Sequence, residues 1–161
     1  MSDHNPVSFQ LAGLGLRMYP GEYPVDDVTP HKHQWALHDA LTDRLPGLFV
    51  DDAPTGAGKT LAWLAPVVSE GLHTVAAYPT NALIEDQVRN IDEKLEDIDG
   101  GDNVRLLAVT SETLQNEHAE RFPSANSNGE RLRDLLKVAF DSRETVILLT
   151  NPDIFVLLRR E

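Results

Sequence analysis

The segment Ala53-Pro54-Thr55-Gly56-Ala57-Gly58-Lys59-Thr60 constrains this chain more than any other stretch of its 161 residues. Two glycines separated by one residue let the backbone curl so that successive N–H groups point inward, which makes an anion cradle. The residues after it read as a helix, with Leu61, Leu64, Val67 and Val68 as its apolar set and Pro66 as a kink. The short apolar run Leu48-Phe49-Val50 before it reads as a buried strand. Strand, glycine-rich turn and helix N-terminus, in that order, are the context in which such a loop holds phosphate, and the helix end adds about half a positive charge. On this reading Pro54, Thr55, Gly56, Ala57 and Gly58 form the cradle. Lys59 reaches the outer phosphates as a point charge, and the Thr60 hydroxyl ligates Mg2+. The strict pattern has Gly at its first position, where this chain has Ala53. The alternative, a glycine-rich turn beside an exposed lysine, would not need the flanking strand and helix.

The rest of the chain predicts an alternating α/β order. Residues 1–28 form an irregular lead-in, with Tyr19-Pro20-Gly21-Glu22-Tyr23-Pro24 and little periodicity. Thr29-Pro30 is a helix start, a hydroxyl N-cap followed by Pro at the first position, and helical pattern runs to Leu45. A strand is expected over 74–78. A helix over 80–98 follows, with Ile84, Val88, Ile91, Leu95 and Ile98 on one face and a Glu85–Arg89 ion pair. Residues 105–110 read as a third strand and 111–144 as a polar insert with one helix from Glu130 to Phe140. Residues 145–150 read as a fourth strand, and Asn151-Pro152 opens a last helix. Continuous apolar strands alternating with helices predict a parallel sheet with helices on both faces.

Composition bounds the function. The longest apolar run is Leu61 to Val68, eight residues, so no helix spans a bilayer. Residues 1–4 carry neither the basic nor the apolar region of a signal peptide, which predicts a cytoplasmic chain without a membrane partner. The absence of cysteine excludes a disulfide scaffold, a cysteine nucleophile and a thiolate metal site. Acids outnumber bases by 26 to 14, a formal charge of −12, with Asp above Glu and only four Lys. A surface so acidic and lysine-poor suits a high-salt interior, where screening mutes self-repulsion, and suggests a halophilic source. His31, His33 and His38 read as solvent-exposed rather than as a metal set, because His31 and His33 point to different helix faces. Asp51-Asp52 reads as a solvated strand end, with contact to the hydration shell of Mg2+ as the alternative. Tyr19, Tyr23 and Trp35 read as ordinary core or rim, with packing on an adenine ring as the alternative.

Four segments in order resemble the superfamily 2 DExD/H-box helicases in their first RecA-like domain. Ala53 to Thr60 is similar to motif I, Gln34 to the adenine-reading glutamine, Tyr78-Pro79-Thr80-Asn81-Ala82-Leu83-Ile84-Glu85-Asp86-Gln87 to motif Ia, and Thr150-Asn151-Pro152-Asp153 to motif Ib. A glutamine amide offers a donor and an acceptor that match adenine. Thr80-Asn81 and Thr150-Asn151 each close a strand and open a helix, at the sheet edge where open parallel sheets bind ligands. Hydroxyl, amide and helix N–H groups there suit a phosphate backbone, although the same residues would serve as plain N-caps.

The resemblance implies a RecA-like P-loop NTPase domain over 29–161, with ATP and Mg2+ as cofactors. It further implies that Pro79, Thr80, Asn81, Gln87, Thr150 and Asn151 meet single-stranded nucleic acid, DNA favoured. Motifs Ia and Ib look most like those of the CRISPR-associated type I helicases, in the helicase-only form of subtype I-D, which would act with an RNA-guided surveillance complex. An Asp-Glu motif II after Asn151 and a second RecA-like domain are absent from the 161 residues. The chain is therefore read as C-terminally truncated, able to bind ATP but not to turn it over. The competing readings are another phosphate-loop enzyme, such as a small-molecule kinase, and a non-catalytic nucleotide-binding module.

Overall fold

A computed structural model describes residues 23–25, 28–43 and 47–159. Most of the predicted lead-in, including Tyr19, lies outside the described residues. The described elements are α1 (Lys32–Thr42), α2 (Lys59–Ser69), β1 (Thr74–Ala77), α3 (Asn81–Leu95), β2 (Val104–Val109), α4 (Ser111–Arg121), α5 (Asn128–Phe140), β3 (Thr145–Thr150) and α6 (Pro152–Arg159).

The strands form one parallel sheet in the order β1-β3-β2. β3 takes the centre because its sequence, Thr-Val-Ile-Leu-Leu-Thr, tolerates burial on both faces, and every residue of it is buried. Its side chains alternate between two cores. Ile147 and Leu149 pack with Leu64, Val67, Ile84 and Ile91 from α2 and α3. Leu148 packs on the other face with Leu114, Leu132, Leu135 and Ile154 from α4, α5 and α6. The chain is thus the expected α/β domain with helices on both faces of a parallel sheet. Leu149 is fully buried, so Leu149→Ala is expected to cost about 2–5 kcal/mol of stability, read as a shift in the urea midpoint.

The register levels the sheet at one end. Ala77 of β1 and Val109 of β2 both stand beside Thr150 of β3, so all three strands finish on one edge. Each then turns into a helix. Thr80 caps α3, its hydroxyl accepting the Leu83 N–H at 3.3 Å. The Thr110 hydroxyl accepts the Thr113 N–H at 3.2 Å and caps α4.

Several expectations need correction. Leu48-Phe49-Val50 is not a buried strand: it pairs with no described strand, and its residues are 61%, 43% and 56% exposed. An apolar run becomes a strand only where a neighbour accepts its backbone hydrogen bonds, and no described strand lies in register beside it. Among the described residues the edge of the sheet at β1 is unpaired, with Val75 46% exposed. α1 begins two residues later than Thr29-Pro30 implies, because the Gln34 side chain accepts the His31 N–H at 2.7 Å and makes His31 the cap. The polar insert holds a second helix, α4. Only Leu114 of α4 is buried, which leaves no apolar stripe to read. Arg89 pairs with Asp86 at 3.8 Å rather than with Glu85, an exposed contact of little energetic weight.

Candidate functional site

The phosphate-loop candidate is a tight turn that opens α2. Gly56 and Gly58 both adopt left-handed backbone, φ +83° and +76°, which a side chain would resist. The Ala57 N–H closes the turn on Pro54 O at 3.2 Å. The first intrahelical bond runs from Ala62 N–H to Gly58 O at 3.0 Å, so the N–H groups of Lys59, Thr60 and Leu61 have no partner within the helix. A Cβ added at Gly56 would meet nothing within 4 Å, which leaves the mouth of the turn open.

Lys59 is exposed, and its ammonium folds back over the loop. It donates to Ala53 O at 2.6 Å and Pro54 O at 3.1 Å. Those two carbonyls hold the cation against the first residues of the loop. Free helix N–H groups, two left-handed glycines and a cation on the same loop are a donor set that fits a polyphosphate tail. The Thr60 hydroxyl adds an oxygen ligand suited to Mg2+.

α1 carries the loop, since it packs directly on α2. Gln34 is the contact: its Nε2 donates to Gly58 O at 3.2 Å while its Oε1 takes the His31 N–H. The side chain is only 3% exposed, so in this conformation it braces the loop and keeps one N–H and one lone pair in reserve. Before the loop, Asp51 Oδ1 accepts the Ala53 N–H at 3.0 Å, which the expectation of a solvated strand end missed. An Asp two residues before a backbone donor was the available signal.

The aromatic residues pack on one another. The Tyr23 hydroxyl donates to Leu61 O at 3.1 Å, and burial pushes its pKa up. Trp35 stacks on His38 with centroids 5.2 Å apart. His31 stacks on His33 at 5.8 Å and 15°, although helical spacing alone placed them on different faces. His31 precedes the helix in extended backbone, so the 100° step does not apply to it. All three histidines are partly buried rather than solvent-exposed. Among the described residues no group of three His, Cys, Asp or Glu side chains is placed to hold a metal.

The second candidate region is the level edge of the sheet. Asn151 Nδ2 donates to Asn81 Oδ1 at 2.8 Å, joining the ends of β1 and β3 across 70 positions of sequence. The Tyr78 N–H donates to Thr150 O at 2.7 Å and secures the same corner, and burial raises the Tyr78 pKa. Pro79, Thr80 and Asn81 are exposed, and Gln87 is half-buried beside Asn90, whose Nδ2 reaches Gln87 Oε1 at 3.4 Å. Thr150 differs from these. It is fully buried, and its hydroxyl donates to Val109 O at 2.7 Å, so it ties the sheet together. The Thr110–Thr113 cap was legible as a hydroxyl pair three residues apart, yet the sequence reading passed over it. It lines a groove of about 220 Å³ with Asn81 and Ile84. Glu85 of α3 and Glu112 and Glu117 of α4 share that groove, so both helices present carboxylates beside Asn81.

Residues 33–157 match the DEAD/DEAH box helicase family. The chain belongs to that family. No curated protein and no solved structure matches it. The family match spans both regions built above, from α1 through the phosphate-loop turn to α6. DEAD/DEAH box helicases use ATP, generally with Mg2+, to act on nucleic acid. No helix of the described residues is long and apolar enough to cross a membrane.

Proposed function

We propose that this DEAD/DEAH box domain binds ATP with Mg2+ at residues 54–60 and single-stranded nucleic acid at the level edge of its sheet. The observation that carries the proposal is a turn with two left-handed glycines at a helix N-terminus, with the Lys59 ammonium held on the same loop by the Ala53 and Pro54 carbonyls. Pro54, Thr55, Gly56, Ala57 and Gly58 shape the cradle. Lys59 moves from the loop carbonyls to the outer phosphates, exchanging two neutral acceptors for charged ones. Thr60 is the Mg2+ ligand; bound there, the ion neutralises charge on the phosphates. Gln34 reads adenine with the N–H and lone pair that its brace leaves over.

At the sheet edge, Thr80, Asn81 and Asn151, with Pro79 shaping the turn, offer hydroxyl, amide and helix N–H groups to a phosphate backbone. Gln87 extends this surface along α3, and Thr150 supports it from below. Such contacts need no net positive surface, which reconciles a polyanionic ligand with a formal charge of −12.

On this reading 1–28 is a lead-in, 29–161 is one RecA-like unit, and the intact protein is an ATP-driven helicase. Motifs Ia and Ib favour a helicase of type I CRISPR interference, with DNA as the strand and an RNA-guided surveillance complex as the partner. The acid excess favours a halophilic setting in the cytoplasm, for which higher thermal stability in multimolar KCl than in dilute buffer is the test.

The decisive experiment is single-strand binding by the intact protein with and without MgATP. Binding strengthened by the nucleotide supports the reading, and binding indifferent to it refutes it. Because hydroxyl and N–H donors carry the contacts, affinity is expected to fall only shallowly with salt. A slope reporting release of about six counterions or more would contradict that.

A further inference from the structure

Two buried polar atoms beside the phosphate loop have no place in the site as built so far. His33 Nε2 and Asp51 Oδ2 face each other at 4.0 Å, on side chains 9% and 21% exposed. Neither atom has a hydrogen-bond partner among the described residues. Keeping two such atoms from water is unfavourable unless they serve each other.

The same carboxylate is already at work on its other side. Asp51 Oδ1 holds the Ala53 N–H at 3.0 Å, and Ala53 O is the nearer of the two carbonyls on which the Lys59 ammonium rests. The carboxylate torsion is soft, because a terminal sp³–sp² bond has a broad profile. An imidazole N–H facing Oδ2 narrows it and keeps Oδ1 on the loop. The His31 ring stacked on His33 limits rotation of the imidazole in turn. α1 therefore touches the loop region at both ends, through Gln34 at Gly58 and through His33 at Asp51.

We infer that His33 is a positioning residue for the phosphate loop: facing Asp51 from α1, it fixes the carboxylate that holds the Ala53 N–H and so sets the first half of the cradle. This rests on the nucleotide-binding reading of residues 54–60. A cradle fixed before its ligand arrives binds more tightly, because less order remains to be imposed on binding.

The test is equilibrium binding of MgADP to the intact protein, with thermal melts recorded alongside. His33→Leu is expected to weaken binding about fivefold. His33→Gln, whose amide N–H can stand in for the imidazole donor, is expected to remain within about twofold of the unaltered protein. In an Asp51→Ala background, His33→Leu should add nothing further, because the carboxylate it acts through is gone. Affinity unchanged in His33→Leu, or an equal loss in His33→Gln, overturns the inference. So does a His33→Leu effect that persists undiminished without Asp51, or a lowered melting temperature with affinity intact. If the unaltered protein binds no MgADP, the nucleotide-binding reading falls and takes this inference with it. Normal binding by the unaltered protein together with normal binding by His33→Leu defeats the inference alone.

Discussion

Gly58→Ala will detach α1 from the glycine loop and destabilise the domain by about 2–5 kcal/mol. Two effects add. At φ +76° an alanine pays the left-handed cost, about 1–2 kcal/mol. Its Cβ would also stand 2.6 Å from Gln34 Nε2, closer than real contacts allow. Gln34 cannot simply swing into solvent, because it is buried and holds both the His31 N–H and Gly58 O. Losing either bond strands a buried polar group, at about 1–3 kcal/mol.

Gly56 supplies the control within the same turn. Its φ is +83°, yet nothing lies within 4 Å of an added Cβ, so Gly56→Ala should show the backbone cost alone. Urea midpoints of the two variants measure the difference. Removing the obstructing side chain should relieve part of it, so Gln34→Ala combined with Gly58→Ala should cost less than the sum of the two single changes. Equal midpoints for the two glycine variants would mean that Gln34 does not brace the loop.

What could be read from the chain followed from how local each signal was. The loop was legible because two glycines, a lysine and a threonine act within eight positions. β3 was legible because burial on both faces leaves an unbroken apolar run. α3 announced itself through Ile84, Ile91 and Leu95 on one face. α4 did not, since a helix that buries only Leu114 has a polar composition all round. Leu48-Phe49-Val50 shows the converse: three apolar residues fix a preference, whereas a strand requires a partner, and partners are non-local. The site divided the same way. The glycine conformations and the Thr80 cap were accessible from the sequence, whereas the cap of α1 fell at His31 rather than Thr29. The Asn81–Asn151 bond spans 70 positions and Gln34 reaches Gly58 across 24, so both needed the folded register. Thr150 had the residue type expected of a ligand contact, but only the sheet shows its hydroxyl turned inward to Val109 O.

The remaining large effect is on binding. Lys59→Ala is expected to leave stability nearly unchanged, since the side chain is exposed and its partners are loop carbonyls at the surface. Affinity for MgATP should nonetheless fall by about 1.5–3 kcal/mol, roughly 10- to 150-fold, because a charge-assisted contact to phosphate is lost. Arginine should not restore it. Its guanidinium is a wide planar fork, whereas the start of this loop holds a compact ammonium bracketed by Ala53 O and Pro54 O at 2.6 and 3.1 Å. Calorimetric titration of the unaltered, Lys59→Ala and Lys59→Arg proteins gives the three affinities, and a melt of each checks the fold. The sheet edge proposed for nucleic acid supplies an internal standard: Asn81 and Asn151 are bonded to each other. Single-strand binding without nucleotide should therefore be equal in all three proteins, and only its enhancement by MgATP should disappear in the variants. Unimpaired MgATP affinity in Lys59→Ala would mean that the ammonium belongs to the loop's own carbonyls and not to a ligand, and the phosphate reading of residues 54–60 would fail.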